Sequence, residues 1–244
     1  MKVSQLLGIP VTLGTREELL SRVLSLLETG GTVATVNATM LEHARSHPAF
    51  HKTLSGMSLC IPDGQGVARA LQKRGEKTDA LAGVELGLLL LTARQGLRLA
   101  IYGGREGVAQ RAGERLQELC PSVELVYIRD GYHHTPFEVA RELSAVALDL
   151  VYVCLGSPKQ EEVVEMLSRI LPHALLIGLG GSLDIWCGDT TRAPGKMREM
   201  GLEWLYRMWR EPHRIVKIPA LISFEYHTFL ERLHTKSTKR GEKT

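Results

Sequence analysis

Short β-branched runs alternate with amphipathic stretches of helical length through most of the chain, and this rhythm constrains the fold more than any other feature. It is the pattern of an α/β domain built on a mostly parallel sheet flanked by helices. Strands are expected at 32–37 (TVATVN), 57–61, 97–103, 123–128, 150–156 and 174–180. Thr15, with Glu18 three residues on, forms a capping box that announces the first helix. Further helices are expected near 39–54, 64–74, 82–95, 105–119, 136–147 and 158–170, with Gly and Pro at the joints between elements.

A change of character after Gly188 divides the chain. The polar, turn-rich GDTTRAPGK leads into REMGLEWLYRMWR, and all three tryptophans lie between 186 and 209. Residues 1–190 therefore read as the α/β core and 191–244 as a basic helical appendage. The net charge of +3 is unevenly spread, with nine Lys and Arg against four Asp and Glu from Arg207 to Thr244. The rest of the chain is slightly acidic, so any phosphate, anionic lipid or nucleic acid would meet the tail first. Arg207, Arg210, Arg214 and Lys217 would share one face of a continuous helix, although Pro212 is expected to break it. Beyond Pro212 the apolar residues 215, 218, 221, 222, 229 and 230 either pack on the core or lie on a membrane.

Other features exclude whole classes of protein. The four cysteines have no metal-site spacing and three lie in apolar stretches, as buried thiols of a cytosolic protein do. The N-terminus lacks the apolar core and cleavage site of a signal peptide. The longest apolar stretch, ALAGVELGLLLLTA, is too short for a transmembrane helix at about 20 residues. His43, His47 and His51 have helical spacing but contain Pro48 among them, so a solvated helix face is expected there rather than a metal site.

Chemistry in an open parallel sheet belongs beyond the carboxyl ends of the strands, where loops and helix N-termini present unpaired N–H groups. Several strands end in polar or glycine-rich residues: Asn37, Asp63-Gly64, Gly103-Gly104, Gly156-Ser157-Pro158-Lys159-Gln160 and Gly180-Gly181-Ser182. GGREGVAQ could cradle a diphosphate, but it lacks the full GxGxxG spacing of a dinucleotide-binding oxidoreductase. Asp63 stands on a tight turn, either capping the next helix or serving as a general base. No Asp-x-Asp pair occurs, so the usual carboxylate clamp for a metal-bound diphosphate is missing and leaving-group charge would fall to helix ends, Arg and Lys.

The ordered set TVNATMLEHA, IPDGQGVA, IYGGREGVA, LVYVCLGSPKQEE, IGLGGSLDIWCGDTTRAP and GLEWLYRMWREPHR closely resembles the WecG/TagA/CpsF family of bacterial glycosyltransferases over nearly the whole length. The resemblance implies a Rossmann-like core and an inverting transfer of a sugar, N-acetylmannosamine or a related hexose, from a UDP-sugar to a polyprenyl-diphosphate-linked acceptor. It implies Asp63 as base, with Thr35, Asn37 and Gln160 lining the pocket. It further implies Gly103, Gly104, Gly181 and Asp184 near the nucleotide, and Arg207, Arg214 and Lys217 as tail cations for the diphosphate. No metal or other cofactor is expected beyond the UDP-sugar substrate, and no nucleic-acid partner. The protein would be cytoplasmic, with the appendage on the inner face of the membrane, and a homo-oligomer is left open. Two departures stand out. Where the family commonly has Arg, Gly and Asp in one short motif, this chain has Ala80, Gly83 and Glu85, and Lys217 stands where further family arginines tend to lie. The rival readings are a non-catalytic basic module for nucleic acid or membrane surfaces, and a nucleotide-cofactor oxidoreductase.

Overall fold

The chain opens with a hairpin that its sequence does not announce. Strands β1 (Val3–Leu6) and β2 (Ile9–Thr12) pair antiparallel. The two turn residues, Leu7 at φ 51° and Gly8 at φ 80°, are both left-handed, as a two-residue hairpin of matching twist requires. Leucine is a poor marker of that conformation, and the hairpin was accordingly not expected.

The fold is a computed structural model that describes residues 2–210 and 212–241, with the side chains at 198, 199, 207, 212–214 and 234–241 outside the described set. Its central sheet has six parallel strands: β3 (Gly31–Val36), β4 (Leu59–Pro62), β5 (Arg98–Gly103), β6 (Glu124–Arg129), β7 (Leu150–Cys154) and β8 (Leu175–Gly178). They lie in the order β4-β3-β8-β7-β5-β6. The expected α/β architecture is what the chain adopts. Burial on both faces explains why the central strands read as continuous apolar runs.

Helices α1 (Arg16–Thr29), α5 (Gly83–Ala93), α6 (Val108–Leu119) and α9 (Ser182–Trp186) cover one face. Helices α2 (Ala38–Ser46), α3 (Pro48–Ser55), α4 (Gln65–Gln72), α7 (Pro136–Leu143) and α8 (Lys159–Ser168) cover the other. The helix after β3 thus lies on one face and the helix after β8 on the opposite face. Divergence of this kind opens the carboxyl edge of an α/β sheet and sets where ligands enter.

Three expectations need correction. The helix expected over 39–54 is two helices, because Pro48 starts α3 and holds His47 before it in an extended conformation. The second strand of the sheet begins two residues later than expected and runs through Pro62. Gly156 and Gly180 fall in the turns beyond β7 and β8, each with positive φ, rather than in the strands.

After the core come α10 (Gly195–Glu199), α11 (Glu203–Arg210), a 3-10 turn (Pro212–Lys217) and α12 (Ile218–Gly241). The break at Pro212 is as expected. Helix α12 lies along α2 and resolves the choice between packing and exposure by doing both. Phe224 and Thr228 are buried against the core, while Ile222, Tyr226, Phe229 and Leu233 form an exposed apolar stripe at helical spacing. Polar contacts fasten it: Ser223 and His227 both hydrogen-bond the Glu42 carboxylate at 2.9 and 3.1 Å, and Arg74 pairs with Glu231 at 3.0 Å. Among the described residues no helix is long and apolar enough to cross a membrane.

Candidate active site

Asp63 follows the last residue of β4, and its backbone N–H donates to Val36 O at 2.8 Å, so the turn continues the β3–β4 ladder. The carboxylate does not cap the next helix: α4 has Gly64 at its N-cap and no side-chain cap bond. Instead Oδ1 accepts the N–H of Gly83, the first residue of α5, at 3.3 Å. The positive end of α5 therefore bears on a carboxylate held at the sheet's open edge.

From Asp63 a series of close contacts crosses the sheet. A Cβ on Gly83 would meet Thr35 Oγ1 at 3.1 Å, so this glycine lets α5 approach β3. Thr35 Oγ1 in turn donates to Gly178 O at 3.0 Å, tying β3 to β8. A Cβ on Gly178 would meet Gln160 Nε2 at 2.9 Å, and Gln160 Oε1 accepts the Gly180 N–H at 2.9 Å. Asp63, Thr35, Gln160 and Gly181 are thus brought to one edge. Thr35 and Gln160, however, are buried, and each is committed to backbone partners. Asn37 caps α2, accepting from Met40 N at 3.1 Å and from the Thr39 hydroxyl at 2.7 Å. These three polar residues hold the backbone at the carboxyl edge of the sheet.

Gly103 and Gly104 stand at the end of β5, beyond β7 in the sheet, and Asp184 stands on α9. Gly103, at φ 135°, passes so close to Cys154 that a Cβ would meet its carbonyl oxygen at 2.3 Å. Asp184 is engaged by Arg105 at 3.3 Å, and Arg111 pairs with Asp189 at 2.8 Å. Helix α6 begins after Gly107 without a side-chain cap, and a cavity of about 220 Å³ opens beside it, lined by Gln110, Arg129, Asp130 and His134. Lys217 is exposed on the 3-10 turn, whereas the side chains of Arg207 and Arg214 lie outside the described residues.

Arg16 was not singled out in the sequence, and Glu85, Arg192 and Glu161 were given no role beyond their motifs. Glu85 accepts from Arg16 and from Arg192, each at 2.8 Å, and Arg16 also donates to Ala80 O at 3.2 Å. Burial pushes the Glu85 carboxyl up, but the bonds from Arg192 and Arg16 outweigh it and hold it below the ordinary range. Arg192, from the RAP motif, reaches toward Glu203 on α11 at 3.7 Å, so the first turn of α5 is linked to the appendage. Glu161, the residue after Gln160, is 1 % exposed, and its Oε2 has no hydrogen-bond partner among the described residues. Burial raises its carboxyl to about 7, against the pull of Gln160, Ser157 and the α8 backbone.

A parallel sheet with its polar residues and helix N-termini gathered at one carboxyl edge defines an α/β enzyme whose chemistry sits on the strand ends. The profile of the glycosyl transferase WecG/TagA/CpsF family matches residues 4–238, and the chain belongs to that family. Among its relatives is an N-acetylglucosaminyldiphosphoundecaprenol N-acetyl-beta-D-mannosaminyltransferase of Bacillus spizizenii, 31% identical over 200 residues that span 80% of this chain and 78% of the relative. A protein of the same name from Bacillus subtilis is 27% identical over 211 residues, spanning 85% and 82% respectively.

Proposed function

We propose that this glycosyltransferase moves N-acetylmannosamine or a closely related hexose from UDP to a polyprenyl-diphosphate-linked sugar, inverting the anomeric centre. The names of the Bacillus relatives support that donor and acceptor class. The observation that carries the mechanism is the carboxylate of Asp63 at the sheet edge, oriented by the Gly83 N–H. Asp63 takes the proton of the acceptor hydroxyl, the acceptor oxygen bonds to the anomeric carbon, and the bond from that carbon to UDP breaks. The departing diphosphate is stabilised by the helix ends at the edge and by Arg207, Arg214 and Lys217 of the tail, without a carboxylate-bound metal.

The same reading gives the appendage a place. Trp209, 75 % exposed, Trp204, Val216 and the α12 stripe all present apolar surface on a basic segment. Such a surface suits the interface of an anionic membrane, where the lipid-linked acceptor resides. Incubation with a panel of UDP-sugars and a short lipid-diphosphate acceptor, read by mass spectrometry, tests the assignment. UDP-N-acetylmannosamine is expected to give a hexosamine-extended lipid, and failure of every donor overturns the reading.

A further inference from the structure

The buried pair Gln160 and Glu161 is the feature the transfer step leaves unused. Both side chains are almost wholly enclosed, at 3 and 1 % exposure. Gln160 has one amide and two neighbours that need opposite ends of it. Its Oε1 accepts the Gly180 N–H at 2.9 Å, and its Nε2 donates to Glu161 Oε1 at 2.7 Å. Reversing the amide would set its NH₂ against the Gly180 N–H and its oxygen against Glu161 Oε1, so Glu161 and Gly180 together fix which way Gln160 points. Gly178 tightens the fit, since a Cβ there would meet Gln160 Nε2 at 2.9 Å and Glu161 Oε1 at 3.3 Å.

We propose that Glu161 is a positioning residue of the transfer site, acting through Gln160 to hold the Gly180 N–H and the turn that carries Gly181 and Asp184. The proposal rests on the transferase reading only for its effect on turnover. A buried carboxyl held near about 7 by desolvation would make this positioning sensitive to pH. The groups that face it are few. The Cys60 thiol on β4, itself pushed up to about 12 by burial and by the Glu161 charge, and Glu162 on α8 are the titratable ones. Ala34, Val153, Leu176 and Phe50 from β3, β7, β8 and α3 belong to the apolar cluster on the side of the sheet that α8 covers.

Two measurements test this, one independent of catalysis. In ¹⁵N-glycine-labelled protein the Gly180 amide resonance is expected to move with a midpoint near pH 7, and to stay fixed in Glu161→Gln. A Gly180 signal that ignores pH, or one that titrates equally in Glu161→Gln, overturns the proposal. In the transfer assay Glu161→Gln is expected to lower kcat about tenfold, to keep UDP affinity and to lose an inflection near pH 7 that the wild type shows. Gly178→Ala, which crowds Gln160 without removing the charge, should lower kcat similarly and keep the inflection. If both variants turn over with the wild-type rate and pH profile, the positioning role is refuted. Absence of turnover in the wild type with the Gly180 titration intact would refute the transferase reading and leave the Glu161–Gln160–Gly180 coupling supported.

Discussion

At the scale of single residues, Asp63 shows how a side chain acquires a role from its neighbours. A carboxylate after a Pro on a tight turn has two plausible uses, and the α4 N-cap at Gly64 removes one of them. What remains is an acceptor for the Gly83 N–H on the edge where ligands enter. Asp63→Asn keeps that acceptor and removes the base, so transfer should fall by roughly 10²–10⁴-fold with UDP binding retained, measured by initial rates and calorimetry. Glu161 gives a prediction of opposite character. Its folded carboxyl binds a proton more tightly than the unfolded one, so the stability it contributes is full below the ordinary glutamate range. That stability is lost as pH rises through about 7. Between about pH 5 and pH 8 the wild type should lose on the order of 2–3 kcal/mol relative to Glu161→Gln, or roughly 5–10 °C in Tm, in paired melting curves.

At the scale of elements, the informative junction is α12 on α2. Burial pushes the Glu42 carboxyl up, but hydrogen bonds from Ser223, Arg45 and His227 outweigh it and hold it below the ordinary range. A lowered carboxyl stabilises the docked helix above the ordinary glutamate range, and that contribution disappears as pH falls through the folded value. Glu42→Ala strands Ser223 and His227 and should cost about 1–3 kcal/mol, seen as faster proteolytic release of α12 with the core intact. The elements differ in how far they could be read beforehand. The inner strands of the sheet announce themselves because a strand buried on both faces must be a nearly unbroken apolar run. Hairpin β1–β2 does not, since its turn depends on Leu7 adopting a conformation that only its context selects. The break at His47 was written in Pro48, a signal outweighed by the apolar periodicity around it.

At the scale of the whole molecule, a series of ion pairs joins the C-terminal helices to the sheet domain. The Glu85–Arg192–Glu203 series runs from the first turn of α5 to α11, next to the Asp63 turn. The exposed aromatic residues lie on the same appendage. Replacing Trp209 and Phe229 together by Ala should weaken association with anionic liposomes by roughly 10²–10⁴-fold, at about 1.5–3 kcal/mol for each side chain withdrawn from the interface. Sedimentation with vesicles at two salt concentrations measures it, and unchanged binding would remove the apolar surface from the membrane contact.

The alternation of the six sheet strands with helices and the polar residues at the strand ends were determined by the sequence itself. Periodicity and turn chemistry are local and survive without knowledge of the fold. Asp63 was legible for that reason, being a charged residue on a turn at a strand end. Thr35 and Gln160 were legible as residues of the edge but not in their contacts, because the partners that engage them, Gly178 and Gly180, are far away in the chain. Arg16 carried no motif, and Arg192 and Glu161 stood in the RAP and PKQE motifs without a role of their own. Only the tertiary structure brings Arg16 and Arg192 to the two oxygens of Glu85, and only burial turns Glu161 from an ordinary helix glutamate into a group that titrates near neutrality.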